Sequence, residues 1–287
     1  DLKWQRTLNN NFGFTAAFLD NRFNISFDFY SNTTNDMLMS VNLPPSVGTT
    51  SMNVNFGKLN NKGLDLSLSA QIIRKKDWFW SMTLTGGHVM DQIRKISQGL
   101  KNDIDNPNDS SKPKILFVEG GSQYDIYAMR SAGIDPATGK EIFIKKNGEY
   151  TFKYDESERV AVGNTNPVLQ GAWMNTVRYK GFSISIATSY TFGSDYYNST
   201  LKNKVENIDL EYNVDRRVFT DRWKQPGDHT RFLGIGTSSS SYQYSERFVE
   251  KRNELYISSI QVMYDFTPKA ITRIGLRKLA IGFGLSD

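Results

Sequence analysis

The chain has 287 residues, with 35 basic and 30 acidic side chains for a net charge of +5, and it lacks cysteine. Mean hydropathy is −0.50 and no run approaches the roughly 20 apolar residues of a spanning helix, while 18 Phe, 14 Tyr and 5 Trp carry too much apolar surface for a disordered chain. The missing cysteines exclude a disulfide scaffold and any Cys-based metal or redox site, and basic residues scattered along the sequence do not point to nucleic acid as a partner.

In chain order, Asp1 to Arg6 is followed by no apolar h-region, so it does not read as a secretory signal. Period-two alternation then dominates. It covers Phe12 to Phe18. It continues with Phe23, Ile25, Phe27 and Phe29 on one face against Asn24, Ser26 and Asp28. Leu64, Leu66, Leu68, Ala70 and Ile72 oppose Asp65, Ser67, Ser69 and Gln71. Weaker alternation runs from Trp78 to Leu84 and from Val168 to Tyr179, and the cleanest from Phe182 to Phe192. Ile260, Val262, Tyr264 and Phe266 oppose Ser259, Gln261 and Asp265, and Leu279, Ile281, Phe283 and Leu285 oppose Lys278, Ala280, Gly282 and Gly284.

These segments predict eight strands joined by unequal connections. Asp20-Asn21, Arg74 to Asp77, Lys180-Gly181 and Thr267 to Gly275 are short, and their small, φ-tolerant residues suit hairpins. The connections Ser31 to Leu59, His88 to Asn166 and Gly193 to Leu255 are long. Short and long alternate. An outer-membrane barrel, with short periplasmic turns and long extracellular loops, sends its long connections to one end. Segments of about ten residues match a tilted spanning strand. Phe18, Phe23, Trp78, Trp80, Tyr179, Phe182 and Phe266 flank the short turns as a membrane girdle would. Alternation alone is equally compatible with a soluble β-sandwich. The opposite face is small and hydroxylated, whereas eight-stranded barrels fill their interiors with bulkier side chains. The expected fold class is therefore all-β: an antiparallel transmembrane β-barrel arc of about eight strands, part of a larger barrel, with long extracellular loops.

Seven motifs, in order, resemble the SusC/RagA-like family of TonB-dependent outer-membrane transporters. They are Asp1-Leu2-Lys3-Trp4; the hairpin from Phe12 to Tyr30; Asn61-Lys62-Gly63-Leu64-Asp65-Leu66; Gly133-Ile134-Asp135-Pro136-Ala137-Thr138-Gly139; Asn166-Pro167 with Tyr179-Lys180-Gly181-Phe182; Asp221-Arg222-Trp223-Lys224-Gln225-Pro226-Gly227-Asp228; and Tyr256 to Phe266 with Pro268. Ile257-Ser258-Ser259 and Gly284-Leu285-Ser286-Asp287 depart from the family pattern. The resemblance implies a 22-stranded barrel of which residues 1–287 are the C-terminal portion, with the plug domain, early strands and closing strand outside this chain. It also implies active import of a glycan or peptide solute, energised by TonB through the N-terminal part, a SusD-like surface lipoprotein as partner, contact with outer-membrane lipid, and no cofactor or enzymatic step. A soluble or surface-anchored β-rich binding or adhesion module is the alternative.

Candidate site residues are few. Arg222, Trp223 and Asp228, with Tyr242 and Tyr244, are candidates for stacking on and hydrogen-bonding a sugar or peptide, although Trp223 equally suits packing within its own loop. Asp28, Asp65, Gln71 and Asp265 are expected to face the lumen and to meet the plug or line a permeation route. Asp103, Asp105 and Asp109 supply oxygen ligands suited to Ca²⁺, but Pro107 and the missing bidentate Glu break the EF-hand pattern, which favours a solvated turn. His88 and His229 are too few for a zinc site.

Overall fold

The computed structural model describes residues 2–42, 48, 51–96, 117–208, 211, 213–236, 243–266 and 275–286. One antiparallel sheet dominates it. Its strands are β1 (Arg6–Phe18), β2 (Phe23–Asn42), β3 (Ser51–Arg74), β4 (Trp78–Ile96), β10 (Leu169–Tyr179), β11 (Phe182–Tyr197), β12 (Val249–Asp265) and β13 (Ala280–Ser286), in that spatial order. All eight alternating segments form strands, and each lies beside its predecessor in the sequence pattern. Between β4 and β10, β5 (Asp125–Ala128) pairs with β9 (Val160–Asn164), while β6 (Arg130–Ile134), β7 (Glu141–Ile144) and β8 (Tyr150–Thr151) form a small meander. Two short helices, α1 (Ser199–Val205) and α2 (Arg217–Thr220), lie between β11 and β12.

Register carries the apolar face unbroken across the sheet. Phe14 opposes Phe27, Phe27 opposes Leu66, and Leu66 opposes Gly86. Farther on, Val177 lies opposite both Trp80 and Ile184, Ile184 opposite Val262, and Val262 opposite Phe283. A sandwich would seal these groups under a second layer. Instead Phe12, Phe14, Leu255 and Phe283 are exposed, the last by 71%. Such an apolar surface is far larger than a water-soluble monomer presents, and it favours a sheet solvated by hydrocarbon.

The turns follow the sequence expectation in three of the four cases. Lys180 and Gly181 both take positive φ (45° and 87°), the conformation of a type I′ hairpin. Gly181 is also required by space, because a Cβ there would stand 2.6 Å from the Asp265 carbonyl oxygen. Leu19, Asp20 and Asn21 turn the first hairpin, also at positive φ. The fourth turn, Thr267 to Gly275, lies outside the described residues except for Gly275.

The first long connection is the main correction. Ser31 to Leu59 is not a loop for most of its length: β2 and β3 remain paired from Phe23↔Ala70 up to Asn42↔Ser51, with irregularities near Met37. Twenty and 24 residues exceed the 9–11 that cross a bilayer, so the upper part is a ribbon beyond the membrane. Asn and Thr occupy both of its faces (Asn32, Thr33, Thr34 and Asn35 against Asn60 and Asn61), which hides the period-two signal. Some bulky residues are nevertheless buried at this end: Leu59, Ile93 and Ile96 form one small core. Leu201, Val205, Phe232 and Phe248 form another. The bulk of the buried apolar side chains therefore lies in the loops, not in the sheet.

Candidate functional site: a polar wall and a fused loop body

The face opposite the apolar one is small and polar. Along one row, Gly13 opposes Asp28, Asp28 opposes Asp65, Asp65 opposes Gly87, and Gly87 opposes Gln170. The glycines at both ends of the carboxylate pair are demanded by space. A Cβ on Gly13 would strike the Asp28 carboxylate, and one on Gly87 would stand 2.6 Å from Oδ1 of Asp65. Asp28, Asp65, Gly87 and Gln170, with Ser26, Ser67 and Thr85, line an open groove of about 340 Å³. Gln71 opposes Ser81 and Asp265 opposes Ala280 on the same face. All four residues expected to face the lumen thus lie on the hydroxyl-bearing side.

At the short-turn end the aromatic residues form a row. Trp78 opposes Tyr179, Tyr179 opposes Phe182, and Phe182 opposes Tyr264. The Trp78 and Tyr179 rings approach to 4.8 Å between centroids. Tyr264, which packs on Phe266 at 5.0 Å, belongs to this row although the sequence reading of the girdle omits it; its place in the alternation was the available signal. Phe18 and Phe23 face each other at the tip of the first hairpin. Trp80 shares the face and points its indole N–H at Oδ1 of Asn175 (3.4 Å).

The long connections around α1, α2 and β5 to β9 fold together. Arg247, in a 3₁₀ turn just before β12, donates to Oε2 of Glu141 (2.8 Å) on β7 and to both carboxylate oxygens of Glu206 (2.9 and 3.2 Å) at the end of α1. All three side chains are buried, so the arrangement is a desolvated cation shared by two carboxylates. Burial alone would lower the Arg247 pKa, but the two acids outweigh it and the net direction is upward. Ser245 also donates to Glu141, and the Leu233 amide donates to Glu206 (3.0 Å). Lys202 of α1, equally buried, donates to the Gln243 carbonyl and lies 5.5 Å from the Tyr244 ring. Its burial lowers the ammonium pKa to about 8, against the pull of Glu206 and Glu141.

Two motifs distant in sequence dock on each other here. The Trp223 indole donates to the Pro136 carbonyl (2.9 Å), as does the Gly227 amide (2.9 Å), and the Gly234 amide donates to the Gly139 carbonyl (3.1 Å). Gly139 has φ +68°, and a Cβ on it would stand 2.5 Å from the Trp223 ring. Only glycine admits both the turn and the indole.

The candidate ligand residues accordingly have internal partners. Arg222 is buried and spends its guanidinium on the carbonyls of Leu233 (2.8 Å), Gly234 (2.7 Å) and Val205 (3.1 Å), capping α1. Asp228 accepts the amides of Lys224 and Gln225, both at 3.0 Å. Tyr244 packs on Tyr197 at 5.2 Å. Tyr242, Asp103, Asp105 and Asp109 lie outside the described residues. His88 is tied to the Val168 carbonyl (2.6 Å), and His229 is exposed. The aromatic surface that is presented outward was not anticipated: Tyr150 and Phe152, with Ala132, Ile142 and Thr151, line an open groove of about 430 Å³.

A single-layer antiparallel wall with one exposed apolar face, short turns at one end and a structured loop body at the other is the architecture of a partial outer-membrane β-barrel of Gram-negative type. Residues 1–124 match the family described as TonB dependent receptor-like, beta-barrel. The chain is 24% identical over 332 residues to TonB-dependent receptor P39 of Formosa agariphila, covering 100% of this chain and 32% of that protein. It is 25% identical over 280 residues to TonB-dependent receptor SusC of Bacteroides thetaiotaomicron, covering 93% and 26%. Its fold superposes on the RagAB peptide transporter with a TM-score of 0.79 at 22% identity, over 99% of this chain and 32% of that one. The closed-closed state of the RagAB peptide importer gives 0.80 at 23%, over 100% and 32%. The similarity to SusC/RagA-like transporters that the motifs imply is thereby shown. The chain spans about a third of the length of these relatives, or less.

Proposed function

We propose that the chain is the C-terminal portion of the barrel of an outer-membrane importer, the plug domain, early strands and closing strand belonging to the rest of the polypeptide. The observation that carries this reading is the single-layer wall: one face apolar and exposed, the other polar and glycine-flanked around Asp28 and Asp65. Strands β1 and β13 are each paired on one side only among the described residues, and hydrocarbon does not tolerate open edges, which supports completion by further strands. In this reading import is energised through TonB, and the solute is a bulky nutrient, a glycan or a peptide. The loop body offers the external surface on which a SusD-like lipoprotein would sit. The relatives are named as receptors and peptide transporters rather than enzymes, and this chain's residues perform no bond-breaking step in the proposed role.

The test uses the intact parent protein in its native host. Solute accumulation should fall to background when tonB is deleted or when the parent gene is removed. The protein should require detergent and migrate faster unheated than boiled, as folded barrels do. Purification as a soluble monomer from buffer would instead establish the adhesion-module alternative.

A further inference from the structure

Basic residues that look scattered in the sequence are gathered by the fold at the short-turn end. The turn between β3 and β4 carries Arg74, Lys75 and Lys76, and the turn between β10 and β11 is bracketed by Arg178 and Lys180. The two turns touch: the Lys180 amide donates to the Asp77 carbonyl (3.1 Å). Arg74 and Arg178 fall in one row with Phe79, on the polar side, Arg178 lying 4.9 Å over its ring. Lys180 instead lies over the Tyr179 ring at 5.3 Å, directly beside the outward row of Trp78, Tyr179 and Phe182. All five cations are exposed. Among the described residues none of them forms an ion pair, and Asp77 is the only carboxylate within either turn.

Resting on the barrel reading above, we infer that this patch is a docking surface for anionic phospholipid, with headgroup phosphates held by Lys75, Lys76 and Lys180 at the rim of the membrane. Charge complementarity and continuity with the lipid-exposed face both select this occupant. Aromatic side chains at the level of the headgroups fix the depth, and lysines just beyond them reach the phosphates while their stems stay on apolar surface. Clustered cations beside a membrane attract anionic lipid by an amount that multiplies with each charge. Arg74 and Arg178 raise the local potential from the polar side. By contrast, Arg22 at the neighbouring first turn spends its guanidinium on the carbonyls of Gln71 and Ile72, so the patch is local and not a uniform collar.

The experiment is lipid retention by the intact parent protein, purified in neutral detergent, incubated with mixed phosphatidylglycerol and phosphatidylcholine, and analysed by native mass spectrometry. Wild type should retain phosphatidylglycerol preferentially. The triple variant Lys75→Gln, Lys76→Gln, Lys180→Gln should lose that preference at about fivefold per charge. The control variant Lys224→Gln, at the loop end, should keep it. Unheated gel migration reports whether each variant still forms a barrel. Equal retention of the two lipids by a folded wild type would overturn the inference and leave the barrel reading intact. So would an unchanged preference in the folded triple variant, or displacement of lipid by millimolar inorganic phosphate, which would mark a simple anion site. Should the triple variant fail to fold, Lys180→Gln alone decides: a drop of about fivefold supports the inference, and no change overturns it.

Discussion

The two ends of the sheet treat charge in opposite ways. At the long-loop end, several cations have carboxylate partners: Arg247 is buried between Glu141 and Glu206, while Arg231 pairs with Glu250 and Lys251 with Asp195 nearer the surface. At the short-turn end, Arg74, Lys75, Lys76, Arg178 and Lys180 stand exposed without an ion-pair partner among the described residues. The loop end builds its own low-dielectric interior because long connections must cover their backbone polar groups somewhere. The turn end has too few residues for a core and is stabilised by pairing register and by its surroundings. The lesson is that one sheet can hold a protein-like body at one rim and a membrane-like boundary at the other.

The sharpest way to break the contrast is Arg247→Ala. It leaves Glu141 and Glu206 buried without their cation, a loss of about 3–5 kcal/mol confined to the loop body. Proteolysis should open residues 198–248 while gel heat-modifiability of the barrel stays unchanged; loss of the barrel as well would show that the two ends are not independent. Gly139→Ala comes next. Its positive φ and the Trp223 ring oppose a side chain, so the docking of the two loop motifs should weaken by about 1–3 kcal/mol, read as increased solvent exposure in Trp223 fluorescence against a Trp223→Phe reference.

Smaller effects sharpen it. Because Lys202 has a lowered pKa in the folded loop body, the folded state binds fewer protons than the unfolded chain above pH 8. The penalty of burying its charge is therefore full below about pH 8 and is relieved as pH rises from there toward the ordinary lysine value. Loop-body resistance to proteolysis should rise between pH 8 and 9.5 in wild type, relative to a denatured control substrate, and Lys202→Met should remove that rise. Least of all, Tyr190→Phe deletes the hydroxyl that reaches across β10 to the Thr85 carbonyl (2.7 Å), and should lower barrel stability by about 0.5–1.5 kcal/mol without altering the loop body.

What could be read from the sequence divides along the same line. Every strand of the wall was legible, because one-sided solvation imposes period two on Phe182 to Phe192 and its counterparts. The ribbon above it was not, since Asn and Thr occupy both of its faces and burial there is confined to the small cluster around Leu59. The loop body was illegible for a different cause. Arg247 meets Glu141 across 106 residues, and Trp223 meets Pro136 across 87, separations at which no local pattern speaks. Trp223 and Arg222 therefore look like surface recognition groups in sequence and act as internal fasteners in the fold. The Asn147-Gly148 dipeptide does carry a hairpin signal, and the β7–β8 hairpin follows it. Period-two analysis overlooks it because its strands are four and two residues long.

The fusion of the two long connections has a consequence for how such barrels diversify. A segment whose interior groups are shared with another cannot be swapped singly between relatives, since Glu141 without Arg247, or Gly139 without Trp223, leaves a wound in the acceptor. Residues 117–164 and 198–248 are therefore best transplanted as a pair. A chimera that exchanges both should mature at the cell surface where either half-exchange is degraded.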